Sequence, residues 1–267
     1  GFVTIYNVTG IINFAQGEFA MLGAMVLVSL GPLGLPLPVG VTVAVAAVTL
    51  SGALVERLTI HPARGASPVT LIIITIGVDI AIRGIGLLIW GTDPYPLPPF
   101  TAGPPLRVAG AIITRQGVWI LGTTALILAF LYVFFEHTYP GKTLRACAIN
   151  PLSARLSGIR PDRMSLLAFA LSAGLGAVAG IVIAPLTLVS YDMGLYLGLR
   201  GFVAAIMGGL VNPAGAVAGA LLLAVLENLA AGLLRAAYKE TIAFLVLFLI
   251  LFFRPHGIFG RGARGGL

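Results

Sequence analysis

Long runs of apolar residues, each about 18 to 25 residues in length, alternate with short polar segments along this chain. A helix of that length spans the roughly 30 Å hydrocarbon core of a bilayer. The runs show no strict alternation of apolar and polar residues, which argues against the strands of a membrane barrel. Because backbone groups in lipid must pair within their own segment, the runs predict helices. The pattern therefore predicts an all-α, polytopic bundle of transmembrane helices.

The predicted helical segments can be placed from the apolar runs and the breaks between them. They cover about 10–30, 39–55, 69–90, 117–135, 165–188, 200–231 and 241–253. The segment 91–116 is rich in proline, which predicts an extended loop with little helix. The segment 200–231 is interrupted by Gly208, Gly209, Asn212 and Pro213. We expect a broken or re-entrant helix there, with a short helix on each side of the break.

The distribution of charged residues predicts which side of the membrane each loop lies on. Only 9% of the residues are charged against 58% hydrophobic, and soluble domains carry about 25% charged residues. The net charge of +7 comes from basic residues that collect in 56–68, 136–164 and 254–267. Basic loops stay in the cytoplasm, so these segments are predicted inside, with 91–116 and 189–199 outside. No patch of interleaved basic and aromatic residues indicates nucleic-acid binding.

Polar and small residues form a stripe in the first predicted span. Asn13, Gln16, Ala20 and Gly23 would share one helix face. Such a stripe faces either neighbouring helices or a water-filled path, and the residues leave both interpretations open. Glu18 lies on another face and needs a partner or a position near the membrane interface.

A second polar pair lies inside the third predicted span. Asp79 and Arg83 are four residues apart, so their side chains can pair along one helix. The pair either neutralises itself and holds helix packing, or takes part in gating or substrate contact.

The segment 136–164 is the longest polar stretch between spans. Asn150 can cap a helix whose first residue is Pro151, and Gly158 can end it. This predicts a helix of about two turns outside the membrane. It is either a surface helix held to anionic lipid by arginines or a docking element for a cytoplasmic partner.

Catalytic and metal-binding patterns do not stand out. The three histidines lie in loops or at the ends of spans, and no paired carboxylates or metal-ligand spacings are present. The tripeptide Gly141-Lys142-Thr143 lacks the upstream glycine of a phosphate-binding loop. We therefore expect no enzyme, no metal site and no cofactor bound by this chain.

Several ordered motifs resemble the permease subunits of branched-chain amino acid ABC importers of the LivH type. They are 10–19 (GIINFAQGEF), 55–57 (VER), 145–148 (RACA) with 154–159 (ARLSGI), 205–209 (AIMGG) with 213–216 (PAGA), 238–240 (YKE) and 254–260 (RPHGIFG). The set covers nearly the whole chain in order. Gln16 stands where the family more often has histidine. Family members usually begin with one more span, so the resemblance implies a single permease domain over 1–267 whose first helix is missing.

The resemblance also implies a transport machine. The chain would lie in the bacterial inner membrane as a multi-pass permease for leucine, isoleucine or valine. It would pair with a second homologous permease subunit and two cytoplasmic ATP-binding subunits, which would hydrolyse the ATP. An extracytoplasmic binding protein would deliver the substrate.

The residue patterns described above, together with the resemblance, lead to expected roles for particular residues. The substrate pathway would include Asn13, Gln16, Ala20, Gly23, Asp79 and Arg83. The loop 136–164 would couple to the ATPase through Arg145, Asn150, Pro151, Ala154, Arg155, Gly158 and Ile159. A permease for urea, short amides or other amino acids, or an ion-coupled secondary transporter, remains the alternative.

Overall fold

A computed structural model describes residues 1–108, 111–233, 239–254 and 257–258 of the chain. Helices dominate this part of the chain. In order they are α1 Phe2–Thr9, α2 Gln16–Leu30, α3 Leu37–Val55, α4 Pro68–Trp90, α5 Arg115–His137, α6 Tyr139–Ile149, α7 Pro151–Leu156, α8 Pro161–Ile183, α9 Met193–Gly208, α10 Pro213–Leu233 and α11 Lys239–Phe253. A short antiparallel hairpin, β1 Leu106–Val108 and β2 Ala111–Ile113, lies between α4 and α5.

Within the described residues, six helices are long and apolar enough to cross a bilayer. They are α2, α3, α4, α5, α8 and α10, while α9 is shorter. This confirms the predicted all-α, polytopic architecture. The loop predicted at 91–116 is also confirmed: among its described residues, the hairpin is the one paired set of strands before α5 begins at Arg115.

Local chemistry sets several helix ends. Ser67 precedes Pro68 and its side chain accepts a hydrogen bond from the backbone N–H of Thr70, which caps α4. Thr114 caps α5 in the same way, accepting from the N–H of Gly117. Proline at the first position of a helix suits both its fixed φ and its missing N–H. These caps place the ends of long apolar helices at polar residues.

Helix α2 lies at the centre of the bundle and packs against α3, α4, α8 and α9. It runs in the same direction as α8, since Gln16 lies against Ser172 and Ala20 against Gly180. A Cβ on Gly180 would overlap the carbonyl oxygen of Ala20, and one on Gly23 would lie 2.5 Å from the Cα of Ala177. Small residues thus let the backbones of α2 and α8 touch.

Three predicted boundaries in this bundle are wrong. The first span begins at Gln16, not near residue 10, because 10–15 form a turn after α1. The region 189–199 is not a plain loop, since α9 already begins at Met193. The helix after the break is not short either, because α10 has 21 residues.

The predicted interruption between residues 208 and 213 is confirmed. Helix α9 ends at Gly208 and α10 begins at Pro213. The two helices are antiparallel, because Gly208 lies against Gly215 and Gly219 against Ala204. The chain therefore reverses direction here, so the final helix α11 runs the way that the basic-loop orientation requires.

We expect Gly180→Val to destabilise the protein, because the added side chain would force α8 away from the backbone of α2. Overpacking of this kind costs about 1 to 3 kcal/mol. Gly122→Val in α5 is the matched control, since nothing lies within 4 Å of a Cβ at that position. Thermal unfolding in detergent measures both. Equal shifts in the two variants would contradict this account of the α2–α8 contact.

Cys147, the one cysteine of the chain, reports on the packing of α6. Only 1% of its surface is exposed, and burial raises the pKa of its thiol above the usual value. Because maleimides react with the thiolate, we expect slow labelling of the folded protein at pH 7, and faster labelling only at higher pH or in denaturant. Mass spectrometry counts the label. Rapid labelling of the folded protein at neutral pH would show that α6 packs loosely.

Candidate functional site

Three charged side chains meet inside the bundle. Arg83 of α4 forms an ion pair with Asp79 one turn earlier, as the spacing predicts. Its Nε also lies 3.5 Å from Oε1 of Glu18 in α2. The partner that Glu18 requires is therefore Arg83, and one guanidinium serves two carboxylates from two helices.

The depth of this cluster follows from helix geometry. Asp79 is the twelfth residue of the 23-residue α4, so it lies about 16 Å from the start of the helix. That is roughly the middle of the hydrocarbon core. Glu18 is fully buried, and both of its carboxylate oxygens lack a hydrogen-bond donor among the described residues. Gly194 at the start of α9 leaves room for this carboxylate, since a Cβ there would lie 2.6 Å from Oε2.

The predicted polar stripe lies at helix contacts. Gln16 donates from Nε2 to the carbonyl of Ser172 at 3.1 Å and accepts from its hydroxyl at 2.5 Å. Ala20 and Gly23 touch the backbone of α8. The sequence left open whether the stripe faces neighbouring helices or a water-filled path. In this conformation Gln16, Ala20 and Gly23 face helix α8. Contact between Ala20 or Gly23 and a substrate would require α2 and α8 to separate.

Asn13 does not belong to that helical face. It lies in the turn before α2, fully buried, and its Oδ1 accepts from the N–H of Ala15 at 3.2 Å. The prediction that Asn13 continues the helical stripe is therefore wrong, because Gly10 adopts a left-handed φ of 69° that ends α1 and interrupts the apolar run. Asn13 holds the turn from which α2 starts.

The short helix predicted in segment 136–164 is confirmed. Asn150 caps α7, with Oδ1 accepting from the N–H groups of Leu152 and Ser153 at 3.0 Å each. Gly158 follows the helix with a φ of 79°, and the N–H of Ile159 closes back onto the carbonyl of Ala154 at 3.0 Å. The preceding helix α6 was not predicted, because its 11 residues are too short and too polar to resemble a membrane span.

Helix α7 and the last residue of α6 carry an uncovered apolar surface. Ile149, Leu152 and Leu156 are exposed over 80%, 68% and 83% of their surface, and we call these three residues the α7 surface. Ala154 is buried against the protein, while Arg155 is exposed beside the apolar side chains. Arg145 in α6 pairs with Glu136 at 2.7 Å on the exposed side of the segment. A surface of this kind is typical of a contact with another protein.

An unpredicted ion-pair cluster joins this segment to the rest of the bundle. Arg64, from the loop before α4, pairs with Glu56 and Asp162. Glu56 lies buried in a π-helical turn that follows α3, and Asp162 is the second residue of α8. Glu56 and Arg64 are eight residues apart between α3 and α4, and Asp162 is 98 residues beyond Arg64, so no helical spacing indicated that the three would meet.

The break between α9 and α10 is held by several hydrogen bonds. Gly209 has a φ of 91°, and Oδ1 of Asn212 accepts from the N–H of Gly215 at 3.1 Å. Asn7 of α1 donates to the carbonyl of Val211 at 3.3 Å. The N–H of Ile258 donates to the carbonyl of Met207 at 2.8 Å, so the chain after α11 returns to this point. The break is an ordered junction of three segments.

Metal chemistry has no support in the described ranges, where no three His, Cys, Asp or Glu side chains come together. Parts of the C-terminal motifs lie outside the described residues. These are Tyr238, Pro255, His256, Phe259 and Gly260, together with the basic residues Arg261 and Arg264.

Comparisons with known proteins place this arrangement in a family. The family model for the permease component of branched-chain amino acid transport systems matches residues 1–251. The chain is 30% identical to the high-affinity branched-chain amino acid transport system permease protein LivH of Escherichia coli (strain K12), over 98% of the chain and 89% of that protein.

Two further relatives match over a similar length. The permease protein BraD of Pseudomonas aeruginosa is 30% identical over 98% of the chain and 90% of its own length. The probable LivH of Methanocaldococcus jannaschii is 27% identical over 97% of the chain and 86% of its own length. No solved structure matches the chain. The chain belongs to the family of permease components of branched-chain amino acid transport systems.

Proposed function

We propose that this chain is the inner-membrane permease subunit through which an ATP-driven importer moves leucine, isoleucine and valine into the cell. Its family consists of transport permeases, and six of its described helices have the length and hydropathy of membrane spans. Relatives named for branched-chain amino acid transport align with almost the whole chain. A similarity of that length supports the same class of substrate here.

The observation that carries the proposal is the α7 surface. Leu152 and Leu156 stand uncovered on the capped helix α7, with Ile149 at the end of α6 beside them, in the segment that also holds many of the basic residues of the chain. Basic segments lie on the cytoplasmic side. We propose a cytoplasmic ATP-binding subunit as the partner, because this subunit of a transport system would bury the exposed apolar side chains on that side of the membrane.

The remaining partners of the transporter are proposed from the family to which the chain belongs. Two cytoplasmic ATP-binding subunits would hydrolyse ATP, and the chain itself would bind no cofactor. A second, homologous permease would complete the pathway, and an extracytoplasmic binding protein would deliver the substrate. The lipid bilayer would cover the rest of the apolar surface. We treat residues 1–267 as one permease domain in which 136–164 is the coupling segment.

The mechanism is a population shift between outward-open and inward-open conformations, driven by the different affinity of ATP for the two. Movement of α7 would pass directly into α8, which begins at Pro161. The ion pairs of Arg64 with Glu56 and Asp162 would carry the same movement to the end of α3. Because α8 lies against the backbone of α2, the pathway residues of α2 and the Asp79–Arg83 pair of α4 would move together.

Reconstitution tests the proposal. We expect the chain, assembled with its cognate subunits and binding protein in liposomes, to accumulate leucine only when ATP is present on the cytoplasmic side. Uptake driven by an ion gradient without ATP would indicate a secondary transporter instead. Competition by unlabelled valine, but not by urea or a short amide, would place the substrate in the proposed class.

Substitutions at the ends of α7 test coupling. We expect Asn150→Ala and Gly158→Val to abolish substrate-stimulated ATP hydrolysis while the complex stays assembled. The first removes a helix cap worth about 1 kcal/mol, and the second forces a β-branched residue into a left-handed conformation. Thr124→Ala is the control, because that hydroxyl bonds only the carbonyl of Ile120 in its own lipid-facing helix. Unchanged coupling in the α7 variants would argue against this segment as the transmission point.

A further inference from the structure

A second pair of charges lies inside the membrane helices, away from the Glu18 cluster. Arg200 is the eighth residue of the apolar helix α9, and Glu227 lies in α10. Their closest atoms, Nε of Arg200 and Oε1 of Glu227, are 3.8 Å apart, which is too long for a hydrogen bond. Oε1 of Glu227 is buried and has no hydrogen-bond partner among the described residues. This pair is thus only partly satisfied.

Both residues lie at membrane depth. Arg200 lies about halfway between Gly194, which touches Glu18, and Gly208 at the break. Glu227 follows Pro213 by fourteen residues, a helical rise of about 21 Å. Charges at this depth are costly in lipid and therefore face other protein or a water-filled cavity.

The exposure of the two side chains distinguishes this pair from the other intramembrane cluster. Glu18 is fully buried, whereas the side chain of Arg200 is 45% exposed and that of Glu227 is 12% exposed. Tyr196, one turn before Arg200, is 50% exposed on the same face of α9. Further along the same side of α9, Val203 and Met207 are buried against α10 and α11. The first half of this side of α9 is therefore exposed at Tyr196 and Arg200, while its second half is packed.

We propose that Arg200 and Glu227 form the site at which the permease holds the charged end of a zwitterionic amino acid during translocation. This rests on the proposed function. The guanidinium of Arg200 would bind the α-carboxylate, for which its planar set of donors is suited. The carboxylate of Glu227 would accept hydrogen bonds from the α-ammonium group, which supplies the donors that Oε1 lacks.

The pairing of the two charges explains how such a site can exist in the absence of substrate. With nothing bound, the two side chains neutralise each other across 3.8 Å, which lowers the cost of holding them in the membrane. A zwitterion offers the same two charges in reversed positions, so it can enter between them without leaving a net charge. An uncharged amide or a sugar satisfies neither charge in full, and the site would therefore favour amino acids.

The test uses the complete importer in liposomes, with leucine uptake, ATP hydrolysis and subunit co-purification as readouts. We expect Arg200→Gln and Glu227→Gln each to lower leucine uptake by at least about tenfold, because each leaves one end of the zwitterion without its partner. The complex should stay assembled, and ATP hydrolysis without substrate should persist. Arg107→Gln on the external hairpin is the control for loss of one positive charge and should leave uptake unchanged.

A charge-swapped variant separates the proposed site from a structural ion pair. Arg200→Glu with Glu227→Arg keeps the pair but inverts the positions offered to the substrate, so we expect it to transport as poorly as the single variants. Uptake restored by the swap would overturn the proposal in favour of helix packing. Normal uptake in the single variants, or loss of subunit co-purification, would overturn it as well.

Failure of the proposed function is distinguishable from failure of this site. If the wild-type importer does not accumulate leucine with ATP, the assigned substrate class is wrong. If the wild-type accumulates leucine and the variants do so equally, only the Arg200–Glu227 site is wrong.

Discussion

The architecture depends on how closely the backbone of α2 approaches its neighbours. Gly180 of α8 meets the carbonyl of Ala20, and Gly17 meets the backbone of α9 at Gly194 and Gly198. The hydrophobic effect does not drive helices together inside lipid. Van der Waals contacts between closely approaching backbones, which small residues permit, therefore supply the free energy of helix association. Since α2 is held on both sides, a displacement of α8 or α9 cannot leave it in place. The centre of the bundle therefore links the positions of α8 and α9 through their shared contacts with α2.

Charge inside the bundle imposes a second constraint. Glu18, Asp79 and Arg83 come from α2 and α4, and their mutual neutralisation ties the two helices together at mid-membrane depth. The arrangement is closed to solvent on the Glu18 side. The Arg200–Glu227 pair differs because its arginine is open. The two groups of charges would suit different tasks in a permease that carries a zwitterion. The buried cluster holds helices together, and the accessible pair is open to a substrate.

The proposed route from ATP hydrolysis to substrate movement is short. Helix α7 is connected to α8 by only four residues, 157–160, and Asp162 pairs with Arg64 at the base of α4. Exposed ion pairs contribute little to stability, but Glu56 in this cluster is buried, so breaking its contact with Arg64 would be costly. The proposed coupling segment is therefore connected to the ends of α3 and α4 through Arg64.

The sequence by itself determined the fold class, the positions of most spans, the Asp79–Arg83 pair and the capped helix α7. These follow from local rules, since membrane hydrophobicity, i to i+4 spacing and capping depend on residues near in sequence. Only the tertiary structure decided where Asn13 lies, which partner neutralises Glu18, and that Glu56, Arg64 and Asp162 meet. Those facts depend on a turn and on contacts, several of them between residues far apart in the chain, that no helical periodicity records. Ala20 and Gly23 show the limit plainly, because a stripe of small residues suits a pathway and a helix contact equally until the facing helix is known.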